Sequence, residues 1–202
     1  MKNQTLLLFL LSLLINSCLQ DDAGSAPIIG GGSDEVCTIN KSGFIESDEL
    51  WEKECIYILN NKVVVPSGVT LTIEAGTIIK GTSGTGSLAS ALIIAQGGKI
   101  IAAGSASEQI VFTSTADNIT VGESYGSNLD QNNRGLWGGL IVLGYAPSSF
   151  AGDVDALQIE GIPAEDSWGL YGGNDPNDNS GILKYISIRH GGALIGEGNE
   201  IN

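Results

Sequence analysis

Leu71-Thr72-Ile73-Glu74-Ala75-Gly76-Thr77-Ile78-Ile79-Lys80-Gly81 is echoed further along the chain by Leu92-Ile93-Ile94-Ala95-Gln96-Gly97-Gly98-Lys99-Ile100-Ile101-Ala102-Ala103-Gly104. Leu71 matches Leu92, Ile73 matches Ile94, Gly76 matches Gly97 and Ile79 matches Ile100, each at an offset of 21 residues. A strand, a glycine corner and a second strand repeating near 20 residues predict the coils of a solenoid. A coil with one apolar inner face cannot bury it alone. Stacking pairs the backbone edges and lines up like side chains in one continuous core.

The same grammar extends on both sides. Ile56-Tyr57-Ile58-Leu59, Val63-Val64-Val65, Ile110-Val111-Phe112, Leu140-Ile141-Val142-Leu143 and Tyr185-Ile186-Ser187-Ile188 are short β-branched or aliphatic runs of strand length. Pro66-Ser67-Gly68, Gly97-Gly98 and Gly104 punctuate them. A β-sandwich would show two-residue hairpin turns and strict alternation instead. The fold class expected over 36–202 is therefore all-β, a parallel β-helix solenoid. Ser47 and Asp48–Glu54 suit a short capped helical turn, with an irregular loop as the equal alternative. Three stretches interrupt the coils: Ala116 to Arg134, Tyr145 to Leu157 and Ile162 to Gly181. They are polar and project as loops, where binding tends to reside.

The N-terminal end speaks of export. Lys2 precedes an apolar run from Leu6 to Ile15, and Ile15-Asn16-Ser17-Cys18 follows. The run is too short to span a bilayer and reads as a cleavable signal peptide over 1–17. An aliphatic residue at −3, a small one at −1 and Cys18 at +1 resemble the lipobox of bacterial lipoproteins. Lipidation at Cys18 would tie the protein to the membrane without a spanning helix. Residues 18–35 then form a flexible tether, with Gly30-Gly31-Gly32-Ser33 at its heart. Asp21-Asp22 just behind the cysteine resembles the surface-export signal of Bacteroidota lipoproteins, placing the protein at the outer membrane or cell surface.

With Cys18 acylated, Cys37 and Cys55 remain as an even pair in an oxidising compartment, and a disulfide between them is expected. A net charge of −14 argues against nucleic acid as a partner, since phosphate would be repelled.

The wording of the longer motifs is itself distinctive. VPSGVTLTIEAGTIIKG, SALIIAQGGKIIAAGSASEQIVFTS, GLWGGLIVLG, IEGIP and LKYISIRHGGALIGEGNEIN occur in that order. They resemble an uncharacterised family of exported bacterial proteins, common in Bacteroidota and marine bacteria. The resemblance implies a right-handed parallel β-helix and no particular activity. Members of that family usually continue past the final motif, so the chain ending at Asn202 is expected to be a truncated product or a fragment. A defective fragment without independent function is a third reading of the chain.

Chemistry-bearing constellations are sparse. His190 stands alone at a strand end and reads as a structural residue. Gly81 to Gly86, GTSGTG, lacks the Lys-Ser/Thr ending of a phosphate loop and reads as a corner. Asp153, Asp155, Glu160, Glu165 and Asp166 lie in or beside the insertions and are the carboxylates that a glycosidase or lyase would need in convergence. Asp175, Asn177, Asp178 and Asn179 are the calcium candidates, set against a polar turn held by Asx hydrogen bonds. Trp137, Trp168 and Tyr171, with Tyr125, Tyr145 and Phe150, offer aromatic faces to sugar rings. No obligatory cofactor is expected. The leading expectation is a non-enzymatic surface lipoprotein for adhesion or glycan contact, and the alternative is a polysaccharide lyase or glycoside hydrolase.

Overall fold

The computed structural model describes residues 36–150, 154–196 and 199–200. The strands are β1 (Cys37–Phe44), β2 (Glu49–Trp51), β3 (Cys55–Val65), β4 (Thr70–Ile73), β5 (Ile78–Gly81), β6 (Ala91–Ile94), β7 (Lys99–Ala103), β8 (Ile110–Ser114), β9 (Gly139–Val142), β10 (Leu157–Gln158), β11 (Leu170–Tyr171), β12 (Gly181–Lys184) and β13 (Ile186–Ile188). After them, β14 (Leu194–Gly196) pairs antiparallel with β15 (Asn199–Glu200).

The pairing makes three faces. On the first, the starts of β1 and β3 lie beside β5, β8 and β13. On the second, the ends of β1 and β3 lie beside β6 and β9. On the third, β2, β4, β7 and β12 run side by side. Every one of these pairs is parallel. The chain visits the first, second and third faces in turn and then begins the next coil: the molecule is a parallel β-helix. Strand β3 crosses two faces and bends at Asn61, whose φ of 59° is left-handed.

The register corrects the 21-residue repeat. Leu71 pairs with Ile100 on the third face, while Leu92 pairs with Val63 on the second. The coil step there is 29 residues, not 21. The repeated motif is the corner rather than the coil. Pro66–Val69, Glu74–Thr77 and Ala95–Gly98 are each closed by a hydrogen bond from the fourth amide to the first carbonyl. In each, a glycine in third place has φ between 77° and 90°, as such turns require. Successive corners pose one steric problem and share one solution, so a corner of one coil mimics a different corner of the next.

Inside, like residues stack as ladders: Tyr57–Ile79–Phe112 on the first face, Val63–Leu92 and Val65–Ile94 on the second, Leu71–Ile100 and Ile73–Ala102 on the third. Each fully buried Leu, Ile or Phe contributes about 1.5–3 kcal/mol. Two further ladders point outward, Ile56–Ile78–Val111 and Val64–Ile93–Ile141, and both are buried beneath inserted loops. Strands covered on both sides read as unbroken apolar runs, which is why Ala91-Leu92-Ile93-Ile94 shows no alternation.

Over Asp48–Glu54, where a helical turn or an irregular loop is expected, Glu49–Trp51 instead form strand β2, and a turn from Glu52 to Cys55 follows it. Trp51 enters the core and stacks on Tyr57 with ring centroids 4.6 Å apart. The Asp48 carboxylate accepts from the Thr70 amide of the next coil. The free edge of β4 and a core place for Trp51 outweigh the weak local preference for a helical turn. Strand β1 went unforeseen because CTINKSGF carries little apolar signal. It caps the first full coil, and Cys37 is bonded to Cys55 directly opposite on β3.

Lys80 lies outward on β5 beneath the loop that follows β8. Its ammonium donates to the carbonyls of Asp117 (2.8 Å) and Ile119 (2.6 Å). Burial lowers its pKa, against the opposing pull of Asp117 and Glu123. Asp117 is itself held by the Thr113 hydroxyl and the Ile119 amide.

Two stability predictions follow from this frame. Replacing both Cys37 and Cys55 by Ser should lower unfolding free energy by about 3 kcal/mol, the value for a loop of this size. Urea titration with and without reductant checks it, since reductant should weaken the parent and leave the variant unchanged. For Lys80, the unfolded chain binds the proton more tightly than the folded one. Stability from this group therefore rises as pH climbs from the folded pKa to the unfolded value near 10.5 and is flat above it. Urea midpoints between pH 8 and 11 should rise less steeply in Lys80→Met than in the parent, and parallel slopes would refute the burial account.

Candidate functional site

The outer side of the second face carries the most developed concavity. After β9 the chain leaves the solenoid and returns at β12. In between, β10 and β11 pair antiparallel, Leu157 with Tyr171 and Gln158 with Leu170. The side chain of Gln158 closes the loop between them from within. Its amide nitrogen donates to the carbonyls of Ile162 (3.4 Å), Pro163 (2.9 Å) and Asp166 (3.2 Å). A Cβ at Gly169 would press on the Gln158 amide and the Ile162 side chain, so a larger residue there would have to displace the staple. Ile159, Ile162, Trp168 and Tyr171 lay the loop against the Val64–Ile93–Ile141 ladder. Gln96, at the corner after β6, adds a second staple by donating to the carbonyls of Gly144 (2.9 Å) and Gly172 (2.6 Å).

Between this loop and the sheet run two adjoining cavities of about 410 and 470 Å³, and Trp168 lines both. Phe44, Tyr145, Gln96, Ser67 and Ser167 border the first. Lys62, Ser87, Pro163 and Asp166 border the second. Phe44 meets Trp168 edge to face at 6.4 Å, yet it is 54% exposed, and Tyr145 is 42% exposed. The cleft thus presents aromatic rings beside amide and hydroxyl groups, the mixture that an amphipathic ring needs.

Lys62 is less available than its place suggests. Its ammonium donates to the carbonyls of Gly86, Ser87 and Ala89, and burial lowers its pKa. The glycine-rich run from Gly81 to Gly86 therefore leads into a turn that offers carbonyls to a lysine, not amides to a phosphate.

The aromatic candidates divide sharply. Trp168 lines the cleft. Trp137 does not: it is fully buried in the inner core and donates to the Arg189 carbonyl at 2.7 Å. The expectation of a ligand-binding Trp137 is thus corrected. Gly81 makes its room, since a Cβ there would lie 2.6 Å from the Trp137 ring. Tyr171 packs on the outer ladder and against Phe150, with centroids 5.4 Å apart. Tyr125 is on the loop after β8, 71% exposed, with the Arg189 guanidinium 4.4 Å above its ring.

The polar candidates divide too. Asp166 borders the cleft, whereas Asp155, Glu160 and Glu165 are exposed along the same insertion. Cys18 and Asp153 lie outside the described residues. Asp175 and Asn179 turn their side-chain oxygens onto the amides of Asn177 and Gly181, and Asp178 accepts from the Ser180 hydroxyl. These are Asx turns, and among the described residues no group of three or more His, Cys, Asp or Glu is gathered as a metal site would gather them. His190 sits at φ 59° with Nδ1 2.6 Å from the Asn133 carbonyl.

Phe44, Gln96 and Lys62 escaped the reading of the sequence. Phe44 alone carried a signal, as the last residue of a polar stretch with nothing local to cover it. A separate cavity of about 270 Å³ lies where the third face meets the first, bordered by Glu54, Glu123 and the Lys53–Glu108 ion pair (2.8 Å) over Val111 and Val121.

No curated protein and no solved structure matches this chain. A family model does match, over residues 43–202, a span that takes in the solenoid from the end of β1 onward. The chain belongs to the family of pectate-lyase-like β-helix domains.

Proposed function

We propose that this domain is a carbohydrate-binding platform, a non-enzymatic module carried at the cell surface on the lipid anchor expected at Cys18. The observation that carries the reading is Trp168. It lines both halves of a cleft, beside the exposed rings of Phe44 and Tyr145 and the polar groups of Gln96, Ser67 and Ser167. Sugar rings have an apolar face and a hydroxyl rim, and aromatic side chains with one polar flank suit both. The wall opposite the sheet is stapled by Gln158 and Gln96, so the cleft is formed before a ligand arrives. Preformed sites lose less freedom on binding.

The family's description favours a second reading, polysaccharide cleavage. Lys62 and Asp166 border the same half of the cleft and would be its reacting groups. Against it, the Lys62 ammonium already donates to three carbonyls, and a lysine acting as base must instead present a free lone pair.

Binding to an array of oligosaccharides, with reducing-sugar and unsaturated-product assays on the hits, separates the two readings. The platform predicts binding without product. Trp168→Ala should weaken binding at least tenfold, about 1.4 kcal/mol, while Tyr125→Ala leaves it unchanged. Gln158→Leu should also weaken it, by releasing the loop that presents Trp168. Undiminished binding by Trp168→Ala would remove the cleft from the reading, and product formation abolished by Asp166→Asn would replace it with the enzymatic one.

A further inference from the structure

We infer that the cleft takes neutral glycans and discriminates against uronate polymers, although the family is described by a lyase of acidic polysaccharide; this rests on the carbohydrate-binding reading above. A uronate brings one carboxylate per ring. Binding it needs a cationic side chain free to meet that carboxylate, or a metal ion held between protein and sugar.

The basic residues are few enough to follow one by one. Of nine Lys and Arg in the chain, eight are described, and Lys2 lies outside. Lys41 pairs with Glu49 at 2.7 Å and Lys53 with Glu108 at 2.8 Å. Lys80 is buried under the loop after β8 with its ammonium on two carbonyls. Arg189 donates to the Ser187 hydroxyl and the Ser124 carbonyl and covers Tyr125. Lys99 and Lys184 stand on the third face, and Arg134 is on the loop between β8 and β9. Of the eight described, Lys62 alone borders the cleft, and its three N–H groups are matched by three backbone carbonyls.

The remaining charge in the cleft has the wrong sign for a uronate. Asp166 shares the Lys62 half and would repel a carboxylate. A bridging metal wants several protein oxygens in convergence, and Asp166 is the one carboxylate among the described lining residues of either half. Among the described residues lining the other half none is charged: Ser67, Gln96, Tyr145 and Ser167 meet hydroxyls, while Phe44 and Trp168 meet C–H faces. The chain's net charge of −14 adds a repulsive background to any polyanion.

The test compares binding of the purified protein to two panels of equal length. One holds neutral hexose and pentose oligosaccharides, and the other holds oligogalacturonates and mixed uronates. Each is run in calcium and in chelator, at low and at moderate salt. The expected result is at least tenfold preference for a neutral ligand, unchanged by chelator or salt and lost in Trp168→Ala. Uronate binding as tight or tighter, in either buffer, overturns the inference and leaves the carbohydrate reading standing. Binding to neither panel overturns both. Lys62→Gln offers a second check, because a uronate-binding cleft loses affinity for the acidic panel when that charge goes, whereas a neutral-glycan cleft keeps its order of preference.

Discussion

The requirement that two sheet faces be covered on their outer side as well as their inner one governs the rest of this molecule. A solenoid coil hides its inner ladder by stacking on its neighbours. The outer ladders Ile56–Ile78–Val111 and Val64–Ile93–Ile141 have no neighbour of that kind, and water would meet a stripe of branched apolar residues. The insertions meet this need. The loop after β8 brings Ile119 and Val121 to the first ladder, and the loop after β9 brings Ile162, Trp168 and Tyr171 to the second. On the third face the outward positions of β4 are Thr70 and Thr72, and no such covered ladder forms there. The insertions are thus part of the packing of the fold, and the cleft is where one of them stands slightly off the sheet it covers.

Polar anchoring follows the same division. Each covering loop is tied down through its backbone carbonyls by side chains rooted in the strands or the loop base. Lys80 holds the first loop by the carbonyls of Asp117 and Ile119. Gln96 and Gln158 hold the second by five carbonyls between them. The arrangement has a cost: Gln158 satisfies backbone carbonyls with its amide nitrogen while its own Oε1 is buried without a hydrogen-bond partner. Lys62 is committed in the same way, its ammonium donating to the carbonyls of Gly86, Ser87 and Ala89.

Much of the fold was legible because solenoid strands covered on both sides are written as dense branched runs, and corners are written as glycines with positive φ. Register was not legible. The Gly76 and Gly97 corners obey one turn geometry, so their likeness aligns Leu71 with Leu92 and hides the true partner Ile100. Trp51 was missed for a different reason: its acidic neighbours suit a helical first turn, and only the edge of β4 makes it a strand. The site was half legible. Trp137 and Trp168 both sit among glycines in the sequence, and nothing local separates them. Gly81, far away in the chain, makes the space that buries Trp137, while the turn closed by Gln158 leaves Trp168 at the cleft. Phe44 completes the cleft from the opposite end of the chain, a juxtaposition that only the stacking of coils creates.

Stacking also separates what the scaffold must keep from what its covering loops are free to vary. The inner ladders must keep their register, because a one-residue slip would turn every apolar side chain to the wrong side. The covering loop has weaker obligations: an apolar patch for the outer ladder and donors for its buried carbonyls. Gln158 and Gln96 meet the second of these through their amide nitrogens alone, without fixing the charge of the residues between them. Positions such as Ser167 and Asp166 can then change while the wall that carries them stays in place. On that wall Ser167 lines one half of the cleft and Asp166 the other, and neither takes part in the packing of the outer ladder.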